Sequence, residues 1–454
     1  MRSRINLIVL MVAVCATACA REEYKRDFRK SANLAAGKSV RIESQFGRIS
    51  VRTKPGQEVL VQAVTHCSAD TMEEAKRICD QIQVVFEDGN TGVSVRTDYP
   101  RLSGHFHNLS YAVDYDITMP DTAPLDVRNR FGKLDVVDLH APSTINSGNG
   151  TVTFIGGRGQ QRIENSFGMV ELRKNEGDVT INNTNGPTIA ADVNGALDIS
   201  NRFGEIRVTN VGRGVTIHSN NSNIEVTGAG GPAWISNSFG RTAVSEVKAN
   251  VTVQSQNGEI DANGIAGAAD LHTSFAAIRF SKIGKGVTVK ANNSLVRGDT
   301  VGESAAVETS FAGVDLRDVK GAARVTAGNA YIKLTGIGGE VYAKTTFAPV
   351  NVADAAGPIT VEGQNGAVTV VGRPAQKCQP ISLRTTFSPI RVTLPEGTGY
   401  DVTAHTTFGR IHTAPTVVTT VSGDVGGSGL NGKINGGGCE LKLLGQNGDI
   451  DILR

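Results

Sequence analysis

Aromatic residues are scarce in this 454-residue chain: one Trp, 7 Tyr and 15 Phe, or 5% in all. A chain this long must bury a substantial core, but large rings cannot be what fills it. Neither sign of charge dominates, with 46 Lys and Arg against 44 Asp and Glu. Nothing in that balance attracts a polyanion, so nucleic acid is not an expected partner. Long apolar runs are missing as well: the longest, from Ile5 to Ala18, falls short of the about 20 residues that span a bilayer. No CxxC pair occurs among the 6 cysteines, which removes the usual zinc signature. What the chain has in plenty is glycine, 53 residues, with many small β-branched side chains, a combination that suits sheet.

The start, MRSRINLIVLMVAVCATACA, joins a basic opening to a short apolar stretch and small residues, as an export signal does. Ala16-Thr17-Ala18-Cys19 resembles a lipobox, with Ala16 where leucine is usual. It predicts removal of residues 1–18 and a lipid on Cys19, with ordinary signal cleavage nearby as the alternative. Ala20 in place of aspartate points, by resemblance to enterobacterial lipoproteins, to the outer membrane. Loss of Arg2 and Arg4 leaves 44 positive against 44 negative charges. The expected membrane contact is the lipid anchor alone. Cys67, Cys79, Cys378 and Cys439 then remain for an oxidising compartment. Four cysteines allow three pairings; proximity favours Cys67–Cys79 and Cys378–Cys439, with four buried thiols as the alternative.

A phenylalanine returns every 36 residues at Phe131, Phe167, Phe203, Phe239, Phe275, Phe311 and Phe347. Halfway between stand Asn149, Asn185, Asn221, Asn257, Asn293, Asn329 and Asn365. Self-similarity at a fixed step is the mark of a stacked repeat. In units of 18, such as NRFGEIRVTNVGRGVTIH at 201–218, apolar residues alternate with polar ones, the period of half-buried strands. Turn residues such as Asn210-Val211-Gly212 separate two short strands in each unit. One such pair cannot bury its own face, whereas a parallel stack shares one interior. The expected fold is all-β: a single-stack parallel β-helix, or β-solenoid, of 18-residue units. Fourteen units from 129 to 380 would form a rod of roughly 65–70 Å at about 4.8 Å per rung. A 36-residue coil of four strands, half as long and thicker, is the alternative. The Phe and Asn columns read as corner ladders inside or beside the interior. Because Gly132, Gly168, Gly204 and Gly240 give way to Ala276, Ala312 and Ala348, that column reads as a demand for small side chains and not for positive φ.

Residues 19–128 lack the step and read as an N-terminal β-rich cap, although Phe46-Gly47 echoes the corner pattern. Residues 69–82 predict one helix, with Asp70 or Thr71 as N-cap and acids in the first turn. Strands are expected at 83–87, 92–97 and 111–119, and a separate binding domain is the alternative for the region. After Phe347 the step becomes 40 to Phe387 and 21 to Phe408, so residues 381–454, glycine-rich at 423–438, read as irregular capping repeats.

The SFG-x-I-x-V and QNG-x-I-x-V corners, preceded by SYAVDYDITMPDTAPLDVRNRFGKLDV, resemble a group of bacterial envelope proteins of unknown function, labelled adhesins from their shape. The similarity covers roughly residues 35–454. It implies a right-handed parallel β-helix exported to the cell envelope, and it implies no catalytic residues.

Chemistry is hard to find in the residues themselves. Asp315 in DLRD and Asp261 in EIDAN read as solvated charges that do not stack. His105 and His107 are too weakly spaced for a metal site, and Asp114 and Asp116 read as surface on a strand. The glycines at 423–438 lack the lysine and helix of a phosphate loop. No cofactor and no metal is expected. The leading expectation is a non-enzymatic rod whose repetitive face meets an envelope polymer, a surface or a protein. The alternative is a carbohydrate-active β-helix enzyme with a shallow groove, which would require several outward carboxylates clustered on adjacent rungs. Scaffolding within an envelope complex is a third possibility.

Overall fold

The computed structural model describes residues 21–100, 108–373, 377–414, 419–422 and 427–454. Alternation decides the architecture. In Val179–Asn185 the residues Val179, Ile181 and Asn183 point inward and those between them outward, so the strand has one apolar face to hide. It pairs in parallel with Leu197–Phe203, Val179 lying opposite Leu197. That strand pairs in turn with Val215–Asn221, Leu197 opposite Val215. Each partner is the equivalent residue of the very next repeat unit, so one unit closes one coil and the longer coil of four strands is excluded. Each coil contributes one strand to each of two facing sheets; Val170–Glu176, Thr188–Val193 and Ile206–Val211 belong to the second. The result is a β-solenoid of about 15 turns, about 70 Å long at 4.8 Å per rung.

The interior is a set of aliphatic columns. Ile163, Ile181, Ile199, Ile217, Ile235, Val253 and Leu271 stand one above another, all fully buried, and each contributes about 1.5–3 kcal/mol by leaving water. Two phenylalanine rings, Phe154 and Phe280, also sit inside.

The second corner of each coil has its own conformational rule. From Asp138 to Asp354 every eighteenth residue has positive φ, whether Gly156 and Gly228 or Asn210, Glu246 and Lys282. A left-handed residue interrupts the alternation, so Val208 and Val211 both point inward while Asn210 points out. That is how the strand bends without losing an apolar position.

At both ends the spatial order departs from the chain order. The coil formed by Ser39–Phe46 and Ile49–Lys54 lies between Leu125–Phe131 and Leu134–Val137 on one side and Gly92–Asp98 and Ser110–Pro120 on the other. Antiparallel strands then cover that end: Gln83–Gly89 on one sheet, Glu58–Ala69 and Glu22–Asn33 on the other. The helix spans Met72–Gln81, with Thr71 accepting from the Glu74 N–H and Glu73 and Glu74 in its first turn. A disulfide ties its Cys79 to Cys67. At the far end Cys439–Leu444 and Ile450–Leu453 run between the coil of Ile381–Arg384 and Ile390–Thr393 and the coil of Tyr400–His405 and Ile411–Thr413. Gly429–Ile434 covers Tyr400–His405 in antiparallel fashion, and Cys378–Cys439 fastens this insertion. Antiparallel covering strands blunt the edges that a parallel stack would otherwise expose. Among the described residues no helix is long and apolar enough to cross a membrane.

Candidate functional site

The first corner of each coil carries the Phe and Asn columns, and they lie on the outside of the rod. Asn149 is in register with Phe167, Phe167 with Asn185, Asn185 with Phe203, Phe203 with Asn221 and Asn221 with Phe239. All the rings of the column are exposed, so the ladder is beside the interior and not in it. At the near end Phe46 stacks on Phe131 with 5.4 Å between centroids, and Tyr99 and Tyr111 pack edge-on against Phe46. At the far end the alternation survives the inserted strands. The Asn447 N–H donates to the Thr386 carbonyl and the Phe408 N–H to the Gln446 carbonyl, which gives the spatial order Phe387, Asn447, Phe408. The irregular steps of 40 and 21 are therefore a consequence of threading, not a lapse of the repeat.

The corner is held from within by the residue two places before the ring. In the first half that residue is a buried asparagine at 129, 165, 201 and 237. Asn165 Nδ2 donates to the carbonyls of Gly168 at 3.1 Å, in its own corner, and Gly150 at 3.3 Å, one coil back. Asn183 bridges Gly186 and Gly168 in the same way, both at 3.1 Å. An amide has two protons and can satisfy two corner carbonyls at once. In the second half the position holds Thr273, Thr309, Thr345, Thr385 and Thr406. A hydroxyl has one proton, and Thr273 directs it to Gly258 of the preceding coil.

The backbone changes with the donor. Gly132, Gly168, Gly204 and Gly240 all have positive φ, between 99° and 127°. The expectation that this column needs only small side chains is thus corrected. A Cβ on Gly204 would also lie 2.3 Å from the Gly186 carbonyl oxygen, so both conformation and space select glycine. Alanine is accepted at 276 and 348 because those corners lack positive φ; Ala312, with φ 81°, keeps it. Ring exposure follows the backbone. Phe131, Phe203, Phe239 and Phe167 are 37–53% exposed, whereas Phe275, Phe347, Phe387 and Phe408 are 60–81% exposed. Phe311, beside Ala312, falls with the first group at 49%.

Charge is distributed unevenly along this edge. The four corner residues of successive coils read SFAA at 274–277, NNSL at 292–295, SFAG at 310–313, GNAY at 328–331, TFAP at 346–349, QNGA at 364–367 and TFSP at 386–389. Not one is charged. The first half has RFGK at 130–133, RFGE at 202–205 and SFGR at 238–241. The uncharged strip carries Phe275, Phe311, Phe347 and Phe387 at two-coil spacing, about 9.6 Å at 4.8 Å per rung.

Two hollows flank the strip. One, of about 460 Å³, is lined by Ser255, His272, Ser274, Asn292 and Ser310 on the first sheet. The other, of about 550 Å³, lies on the second sheet among Asp261, Arg279, Arg297, Asp299, Asp315 and Arg317. Register makes this trough: Asp261, Arg279, Arg297 and Asp315 form one column across four coils, with Asp299 beside Arg317 in the next. Asp261 and Asp315, expected as charges that do not stack, therefore share one column and one trough, three coils apart. The carboxylates are unequally engaged. Asp261 is held by Arg241 at 2.7 Å and Arg279 at 3.4 Å, and Asp315 by Arg317 at 3.2 Å. Hydrogen bonding, to Glu259 first for Arg279 and to Asp315 for Arg317, raises the pKa of both guanidiniums.

The remaining sequence candidates are dispersed. Asp114 accepts from the Arg48 backbone N–H and Asp116 pairs with the Arg48 side chain at 3.1 Å, both far along the chain from the strip. Trp234 packs against His218 at a tilt, 4.7 Å between centroids, on the first sheet. Cys19, His105 and His107 lie outside the described residues, as do positions 423–426 of the glycine-rich stretch. Among the described residues no three His, Cys, Asp or Glu side chains come together as metal ligands would. Sequence reading misses the two classes of corner; their signal is the pairing of Asn with Gly from Phe131 to Phe239 and of Thr with Ala from Phe275 to Phe347.

No protein-family model matches the chain, and no curated protein matches it. Among solved structures, a chain from Clostridium sporogenes, provisionally named for cell adhesion, aligns at 9% identity over 94% of this chain and 99% of its own. The TM-score of that alignment is 0.17, too low for it to bear on fold or function.

Proposed function

We propose that this protein is a non-enzymatic rod of the bacterial envelope, exported and lipid-anchored at Cys19, that binds a glycan polymer along its Phe–Asn edge. The single observation that carries the reading is the uncharged strip at 274–389, with outward phenylalanines on every second coil. Rings standing free in water at a fixed interval have an apolar face to offer, and the C–H faces of sugar rings complement it. Asn, Ser, Thr and Gln on either side supply donors and acceptors for hydroxyls. The two-coil interval is of the order of one disaccharide in an extended β-linked chain. The two disulfides suit an oxidising compartment, which favours export.

The test is affinity electrophoresis of the mature chain through gels containing envelope and extracellular polysaccharides. Phe275→Ala/Phe347→Ala/Phe387→Ala should weaken retardation at least tenfold, three exposed rings each contributing about 0.5–1.5 kcal/mol. The matching triple variant at Phe131, Phe167 and Phe203 should weaken it less. Equal weakening by both, or none by either, removes the strip from the binding surface.

A second reading, glycan cleavage in the trough, is favoured by its three carboxylates from neighbouring coils. Two of them are committed to arginines, which leaves Asp299 free but without a second free carboxylate for acid–base work. Release of new reducing ends or of unsaturated products from any retarded polysaccharide would support cleavage over binding.

A further inference from the structure

Three arginines enter the trough on the second sheet, and two are already neutralised. Arg279 is bound by Glu259 and Asp261, and Arg317 by Asp315. Arg297 makes no ion pair among the described residues, although it stands in register between Arg279 and Asp315. Two residues along the same strand face, Asp299 accepts only from the neighbouring Thr300 hydroxyl. Gly298 between them faces the interior, where a Cβ would lie 2.2 Å from the buried ring of Phe280, so Arg297 and Asp299 are the two side chains this strand turns to the trough. A free guanidinium and a free carboxylate thus face one hollow of about 550 Å³, within the range of small-ligand sites.

We propose that this trough is a subsite for an acidic sugar unit, a uronate, whose carboxylate is taken by the guanidinium of Arg297 and whose ring hydroxyls donate to Asp299. Arginine presents a planar fork matched to a carboxylate. The charges around it select a singly charged group. Glu259, Asp261 and Asp315 are offset by their arginines, which leaves Asp299 as the uncompensated carboxylate beside Arg297, and it repels a phosphate, with nearly two negative charges, more strongly than a carboxylate. Hydroxyl recognition by a carboxylate acceptor adds direction, since a missing or inverted hydroxyl leaves that oxygen unpaired. The subsite rests on the glycan-binding reading: the trough adjoins the coils of Phe275 and Phe311, so a chain lying on the strip can turn the acidic edge of one unit into it.

The experiment titrates the mature full-length chain with oligomers of galacturonate, mannuronate–guluronate and glucuronate–N-acetylglucosamine, each beside its carboxyl-reduced neutral counterpart. The wild type should bind at least one acidic oligomer about tenfold tighter than its reduced form, the value of one charge-assisted bidentate contact. Arg297→Gln, with its fold checked by circular dichroism, should abolish that preference by weakening the acidic form about tenfold more than the reduced form. Phe347→Ala, outside the trough, should weaken both forms equally and keep the preference. A preference that survives Arg297→Gln overturns the subsite but leaves the strip standing. Binding of reduced forms only does the same. Failure to bind any oligomer in either form overturns the glycan reading, and the subsite with it.

Discussion

The two halves of the solenoid make the same corner in two ways. The phenylalanine coils from 129 to 240 use a buried asparagine, donating to two corner carbonyls at 129, 165 and 237 and to one at 201, and a glycine of positive φ. Coils from 273 to 348 use a threonine with one donated proton, and at 276 and 348 an alanine in ordinary conformation. Register, coil length and the aliphatic interior are the same in both. What differs is how far the ring stands from the rod, and whether charged residues accompany it. The amide brings two protons to the corner carbonyls and the hydroxyl one, and the ring stands farther out where positive φ is absent. Ala312 is the informative exception, because it keeps positive φ and its Phe311 stays low. Backbone conformation, not the identity of the aromatic, sets its display.

The largest effect expected from breaking this distinction is at Gly204. Gly204→Ala forces a Cβ onto the Gly186 carbonyl and a side chain into positive φ, and should cost roughly 3 kcal/mol or more. Ala348→Gly should cost no more than about 1 kcal/mol. Urea midpoints of the two variants measure the difference, and similar midpoints would mean that the corners are not two classes. A smaller effect is the coupling between donor and backbone. Asn201→Thr keeps a donor for the Gly186 carbonyl, as Thr273 does for Gly258, but loses the amide's second proton, and should cost about 0.5–1.5 kcal/mol. The double variant Asn201→Thr/Gly204→Ala should then be less destabilised than the sum of its parts, by roughly 1 kcal/mol in a double-mutant cycle. Strict additivity would separate the threonine from the loss of positive φ. The smallest effect lies at the opposite corner, where both halves agree. Glu246 holds φ 57°, and its side chain makes no hydrogen bond or ion pair among the described residues, so Glu246→Gly should raise stability by about 0.5–1 kcal/mol. A fall in the melting temperature would mean that Glu246 has a role beyond the turn.

Much of this arrangement is legible in the residues. The alternation within each repeat unit specifies strands, register and the inward columns, because a slip of one residue would turn every buried valine to water. The short sequence distance between Cys67 and Cys79, and the even count of cysteines, point to the disulfides observed. The choice between the shorter and the longer coil is not decidable from period alone, since the Phe–Asn alternation has the longer step while the backbone hydrogen bonds have the shorter. Positive φ at Gly204 is hidden because alanines elsewhere in the column belong to another backbone class. The trough escapes notice for a different reason. Its members come from four separate coils, so proximity appears only when charge is tabulated by column instead of by neighbourhood. The closing GQNGDIDILR carries the asparagine-corner pattern, but nothing in the linear order places Asn447 between Phe387 and Phe408.

That placement bears on how the rod is made. Tyr400–His405 cannot find its parallel partner until Cys439–Leu444 has been delivered, nor Ile411–Thr413 until Ile450–Leu453 has arrived. If the chain folds in sequence order, the stack can zip upward coil by coil only as far as Ile390–Thr393, and there it must wait. The tail is tucked under the final loop like the end of a whipped rope, so its removal must break strand pairing on both sides at once, where an outermost strand would give up one.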